Sequence, residues 1–210
     1  MTNLYNRIAG RSADRLAALS DGVFAFAMTV LALDLHVPAA FTIHSEAELG
    51  HALLELGPRL LTYLMSFLTL GIFWVGQNTQ HDLLKSSDRG YAWIHIAFLM
   101  AVTLVPFSTS LLAEFITYRV ALLVYWGNIA FLGATLLAAW YRARAMDLVK
   151  PDAPEGSDRA LVRRVVLAQI LYAAAAALCL VSNYWSIGLI VAIQLQYAIG
   201  LRFRPFSWIG

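Results

Sequence analysis

Charged residues are scarce in this 210-residue chain, at 13% of the whole, while 60% are hydrophobic and the mean hydropathy is +0.66. Soluble domains carry about 25% charged and about 45–50% apolar residues, and no buried core could absorb the surplus. Much of the surface must therefore face lipid. Cysteine is nearly absent: Cys179 stands alone inside an apolar run. That excludes an intramolecular disulfide, and a lone buried cysteine behaves as a small hydrophobe. Catalytic signatures are missing too, with no P-loop and no H-E-x-x-H. Asp21 and His95 could be imagined as an acid–base pair, but no further group supports them as chemistry requires. His36, His44 and His51 share one loop at spacings too irregular for a metal site. Neither an enzyme, a cofactor nor a nucleic-acid partner is expected. Also lacking are a TVGYG-like filter and an arginine ladder, which excludes the familiar carbonyl-filter and voltage-sensor designs.

What is present is a series of six long apolar segments, at about 16–37, 58–80, 91–113, 117–141, 161–182 and 184–203. Each approaches the roughly 20 residues that cross a bilayer as a helix. Continuous rather than alternating hydrophobicity speaks against a barrel. Breakers fall between the segments: Pro38, Gly57-Pro58, Ser86 to Gly90, Lys150 to Ser157 and Ser182-Asn183. The fold expected is an all-α integral membrane bundle of six transmembrane helices. Residues 1–210 would form a single membrane domain with no soluble domain. The start superficially resembles a signal peptide, with Arg7, Arg11 and Arg15 before an apolar run. Ser20 and Asp21 interrupt that run and no A-x-A site follows near Pro38, so it reads as an uncleaved first helix.

Positive charge is distributed very unevenly over the two sides of such a bundle. Arg7, Arg11, Arg15, Lys85, Arg89, Arg142, Arg144, Lys150, Arg159, Arg163, Arg164, Arg202 and Arg204 fall on one side, and only Arg59 and Arg119 on the other. The positive-inside rule puts the first side, with both termini, in the cytoplasm. The outer side carries Asp34, Glu46, Glu48, Glu55 and Glu114. These form either a vestibule that concentrates cations or solvated loops that merely avoid positive charge. The excess of arginine over lysine points weakly to a GC-rich bacterial genome.

Polar residues inside the apolar segments are expensive and demand partners. Asp21 lies six residues past Arg15, roughly 9 Å deeper along a helix. That separation sets the two on different faces, so Arg15 is a poor partner. Trp74, Gln77, His95, Gln169 and Gln196 come to a similar depth on other segments. They are candidate partners in a hydrogen-bonding belt around Ser20 and Asp21. Along the first segment, Gly22, Phe26, Thr29, Val30 and Leu33 recur at three- and four-residue spacing and share a stripe. A stripe of this kind serves lipid contact, core packing or a pore, and a helical threonine commonly bonds back to its own helix.

The run Arg15-Leu16-Ala17-Ala18-Leu19-Ser20-Asp21, followed by Gly22-Val23-Phe24-Ala25-Phe26-Ala27-Met28-Thr29-Val30-Leu31, closely resembles the R-x-x-x-F-S-D signature. That signature marks the endosomal and lysosomal potassium channel family (transmembrane protein 175) and its prokaryotic relatives. Trp74 and the run Pro106-Phe107-Ser108-Thr109-Ser110 add to the likeness, which covers nearly the whole chain. The resemblance implies a homotetramer in the plasma membrane, conducting K⁺ and other monovalent cations along a central pore lined by the first helix of each subunit. It implies an apolar constriction rather than a ring of carbonyls, with Phe26, Thr29, Val30 and Leu33 as the pore-facing candidates. Arg15, Ser20 and Asp21 would hold the first helix to its neighbours, outside the ion path. Two positions depart from the family pattern: Leu19 replaces the signature Phe, and Phe26 stands where Ile or Leu is usual. The alternatives are a secondary transporter or proton-coupled carrier titrating Asp21, and a non-conducting scaffold. Against a carrier, the chain has no inverted repeat and no Gly/Pro-broken helix pair.

Overall fold

The computed structural model describes residues 12–39, 41 and 43–199. Arg7, Arg11, Arg202, Arg204 and both chain ends lie outside the described residues, as does the end of the sixth expected segment. Helices account for nearly all of the described chain: α1 (Ala13–Leu33), α2 (Glu46–Glu55), α3 (Gly57–Asp82), α4 (Arg89–Thr103), α5 (Val105–Glu114), α6 (Arg119–Ala145), α7 (Ser157–Ala177) and α8 (Asn183–Ile199). Five spans are long and apolar enough to cross a membrane: Ala13–Leu33, Gly57–Asp82, Arg89–Glu114, Arg119–Ala145 and Ser157–Leu180. The protein is therefore a multi-pass, all-helical membrane protein. α8 has 17 described residues, mostly apolar, with Asn183, Ser186, Gln194 and Gln196 among them.

Local sequence accounts for the boundaries. Ser12 caps α1 by accepting from the Arg15 N–H at 3.3 Å. α1 ends at Leu33, short of the expected residue 37. Pro38 disfavours a helical Val37, and the His36 N–H turns back to the Asp34 carbonyl at 3.1 Å. α2 lies where hydropathy leaves only a loop. Its signal is Ser45-Glu46-Ala47-Glu48: Ser45 accepts from the Glu48 N–H, and Glu48 accepts from the His44 N–H at 2.6 Å. α3 begins with Pro58 in its first turn, where a missing N–H is harmless.

The third expected segment is interrupted at Leu104, between α4 and α5. Pro106 has no N–H to continue the ladder, and its ring crowds the carbonyl four residues back. Asn128 of α6 lies across this break. With its amide oriented to suit its neighbours, the nitrogen donates to the Ala101 carbonyl and the oxygen accepts from the Val105 N–H, both at 3.1 Å, and from the Ser108 hydroxyl at 3.2 Å. A broken helix is tolerated at membrane depth where a neighbour satisfies the freed backbone.

Contacts between helix ends show the chain reversing direction at each connection. One end joins Asp34, Arg59 and Glu114 through ion pairs, and also Arg119 to the Leu180 carbonyl and Asn183 to the Ile116 carbonyl. The other end joins Asp88 to Arg142, Lys85 to Asp147 and Arg144 to Asp158. There an isolated antiparallel bridge between Leu84 and Val149 ties the two connecting loops together. Partial burial raises the pKa of Asp88. The Arg142 hydrogen bond, the Tyr91 N–H and the Arg142 charge outweigh it, holding this carboxyl below its ordinary value.

α3 sits at the centre of the packing, flanked by α1, α5 and α8, while α4 packs on α6 and α6 on α7. A buried polar cluster joins four of these helices. The Tyr125 hydroxyl lies 3.2 Å from the Thr69 hydroxyl and 3.4 Å from that of Ser66, which is also bonded to Thr109. Gln194 donates to Thr69 at 2.8 Å. Interhelical hydrogen bonds of this kind contribute because lipid offers no hydrophobic drive between helices.

Candidate functional site

α1 has two unlike faces. Ser20, Phe24, Ala27 and Leu31 are buried against the bundle, with the Phe24 ring 5.9 Å from that of Phe98. The opposite face is uncovered by any other described part of the chain. Phe26 is 68% and Leu33 74% exposed, Gly22, Ala25 and Thr29 are exposed with them, and Val30 is half-buried at the edge. Thr29 donates its hydroxyl to the Phe26 carbonyl at 2.7 Å, so its oxygen still presents a lone pair outward.

Two neighbouring residues hold α1 in this rotation. Asp21 accepts the indole N–H of Trp74 at 2.8 Å, joining α1 to α3. Ser20 is fully buried and lies 2.6 Å from Nε2 of His95, joining α1 to α4. The Ser20 hydroxyl already donates to the Leu16 carbonyl at 2.8 Å. His95 stacks on Tyr91 and lies 4.9 Å, centre to centre, from His81.

The remaining belt candidates separate. Gln77 is buried beside this group on α3, with neither amide atom hydrogen-bonded among the described residues. Gln169 instead faces α6, donating to the Ile129 carbonyl at 3.4 Å over Gly133. A Cβ at Gly133 would overlap the Gln169 amide, so this pair is a packing contact between α6 and α7. Gln196 is half-buried, whereas its neighbour Gln194 is the side chain that enters the core. Arg15 is exposed at the start of α1. Sequence reasoning missed His81 and Gln80, which extend the buried polar stripe of Gln77 at helical spacing. That spacing was the available signal.

Acidity at the far end of α1 is partly neutralised. Arg59 lies 2.7 Å from Glu114 and 4.0 Å from Asp34. Glu46, Glu48 and Glu55 on α2 remain as its exposed carboxylates.

The family described as endosomal/lysosomal potassium channel TMEM175 matches residues 15–106, which contain nearly all of α1 and both of its anchors. A potassium channel of Chamaesiphon minutus is 32% identical over 88% of this chain and 93% of its own length. One from Streptomyces collinus is 33% identical over 80% and 82%. The human endosomal/lysosomal proton channel TMEM175 is 25% identical over 82% of this chain and 34% of its own. The crystal structure of a lysosomal potassium-selective channel TMEM175 homolog from Chamaesiphon minutus superposes with a TM-score of 0.78 at 30% identity. It covers 89% of this chain and 96% of that one. With a likeness to these channels that runs over most of its length, this chain belongs to the TMEM175 family of ion channels.

Proposed function

We propose that this protein is a potassium-permeable channel of a bacterial plasma membrane. It assembles as a homotetramer around a central pore lined by α1 of each subunit. The observation that carries this reading is the asymmetry of α1. One face is anchored by Ser20–His95 and Asp21–Trp74, while the stripe of Phe26, Thr29 and Leu33 is left without cover. Phe26 and Leu33 are seven residues apart, roughly 10 Å along the helix, and form two successive apolar rings facing one axis. A narrow apolar passage resists ions because it denies them hydration, so Phe26 sets the constriction. Thr29 offers a hydroxyl oxygen between the rings. Arg15, Ser20 and Asp21 hold the helix and stand outside the ion path.

Six crossings with both termini in the cytoplasm fit the alternating helix ends. Lys85, Arg89, Arg142, Arg144, Lys150 and Arg159 share one end, opposed by Arg59 and Arg119 at the other, which is the positive-inside pattern. On that orientation α2 lies outside, and its carboxylates raise the local cation concentration.

The test is flux from purified protein in liposomes under a potassium gradient, read with a membrane-potential dye. The channel reading expects rates orders of magnitude above carrier turnover and independent of a proton gradient. Slow, strictly proton-coupled uptake abolished by Asp21→Asn would replace it with a carrier.

A further inference from the structure

A groove of about 360 Å³ opens on the bundle surface between α3, α7 and α8, with Trp74, the partner of Asp21, also in its lining. Its volume lies within the range of about 300–1,000 Å³ common for ligand sites. Phe67, Leu68, Gly71, Ile72 and Val75 form an apolar wall along α3. The floor is open at Gly71, where a Cβ would meet no atom within 4 Å. At one end stand two polar groups. Arg164 reaches over the Tyr197 ring, 5.8 Å from its centre, and has no carboxylate partner among the described residues. The Tyr197 hydroxyl is enclosed and has no hydrogen-bond partner there either.

Depth orders these groups. Arg164 lies seven residues past the start of α7, and Val75 seven before the end of α3, both at the basic end of the bundle. Phe67 lies eight residues further in, roughly 12 Å. The groove therefore runs from a cation at the membrane–water boundary into the hydrocarbon. Arg163 and Arg159 stand one and five residues earlier on the same helix, outside the lining of the groove. Arg164 itself is exposed, and a phosphate at the membrane–water boundary binds a guanidinium through charge-assisted, often paired, hydrogen bonds.

We propose that this groove binds an anionic phospholipid of the cytoplasmic leaflet, with its phosphate on Arg164 and an acyl chain lying over Gly71. Basic pockets between transmembrane helices on the cytoplasmic side suit such headgroups. The leaflet rests on the orientation given above. The binding itself does not require conduction, so failure of the flux assay leaves this test standing.

The experiment titrates dioleoyl phosphatidylglycerol or phosphatidylcholine into detergent-purified protein, read by thermal unfolding and by native mass spectrometry of retained lipid. Phosphatidylglycerol should raise the melting temperature and stay bound, and phosphatidylcholine should do neither. Arg164→Gln should weaken phosphatidylglycerol binding about ten-fold, as expected for a hydrogen-bonded charge, and Tyr197→Phe, which removes only an enclosed hydroxyl, should leave it unchanged. Gly71→Leu starts from a Cβ that meets no protein atom within 4 Å and should block the lipid while the lipid-free melting temperature holds. This variant keeps the test decisive should Arg164→Gln fail to fold. Equal effects of the two lipids would overturn the proposal. So would an Arg163→Gln variant as weak as Arg164→Gln, which would mean diffuse surface charge. If Gly71→Leu breaks the oligomer and leaves lipid binding intact, the groove is covered by a second copy of the chain instead.

Discussion

Trp74 donates its indole N–H to Asp21 at 2.8 Å, and this bond sets the rotation of α1 against α3. Together with the Ser20–His95 contact, it decides which apolar side chains α1 leaves uncovered. Trp74→Phe should remove the donor and keep most of the ring packing. A hydrogen bond at this exposure contributes about 1 kcal/mol, so the melting temperature should drop by about 2–4 °C. Asp21→Asn should retain partial assembly and Asp21→Leu should lose the oligomer, as read by size-exclusion chromatography with light scattering. Normal assembly of Asp21→Leu would remove the anchor role.

Phe26→Ala should raise cation flux on the order of ten-fold, equivalent to lowering a barrier by about 1.4 kcal/mol, and reduce the preference for potassium over sodium. Leu33→Ala should do so less, since its ring lies nearer water. Phe24 is buried against Phe98, so Phe24→Leu should lower thermal stability and leave selectivity unchanged. The pore assignment fails if Phe24→Leu or Met28→Ala shifts ion selectivity while Phe26→Ala and Leu33→Ala shift neither flux nor selectivity.

A cysteine at Glu48, in a Cys179→Ser background, should react with a membrane-impermeant thiol reagent applied outside intact cells. One at Asp152 should react only after permeabilisation. The reverse pattern would invert the bundle and remove α2 from the cation entrance.

Asp88 both caps α4, accepting from the Tyr91 N–H at 2.7 Å, and pairs with Arg142. Its folded-state pKa is depressed. The stability it supplies is therefore fully present above the unfolded carboxyl value of about 3.9, and is lost as pH falls through the lower folded value. Asp88→Asn should keep a cap, lose the ion pair and flatten the dependence of melting temperature on pH below about pH 4. An unchanged acid limb would assign that loss to other carboxylates.

Gln194→Leu should destabilise more than Gln196→Leu, because Gln194 is fully buried and bonded to Thr69. In membrane proteins such bonds average about 0.6 kcal/mol, reaching about 1.7. Comparing the two melting temperatures separates them. Equal losses would mean that the Thr69–Tyr125 cluster does not need the amide.

Hydropathy and charge alone were enough to show a multi-pass helical protein, because the lipid environment demands long apolar runs and biosynthesis sorts arginine and lysine by side. The family was legible in the run from Arg15 to Asp21, within which Asp21 stands out by its cost inside a membrane. Partner identity was not. Gln196 and Gln194 differ by two residues and hence by about 200° around a helix, and only packing decides which one enters the core. Gln169 matched the belt in depth yet faces Gly133 of α6, since depth along a helix says nothing about its rotation. The break at Leu104 required Pro106, which sequence shows. Its tolerance required the Asn128 amide, which only the packing of α6 supplies. Sequence determined which residues needed partners, through their solvation cost, and tertiary structure decided which partners they found, through the rotation of each helix about its axis.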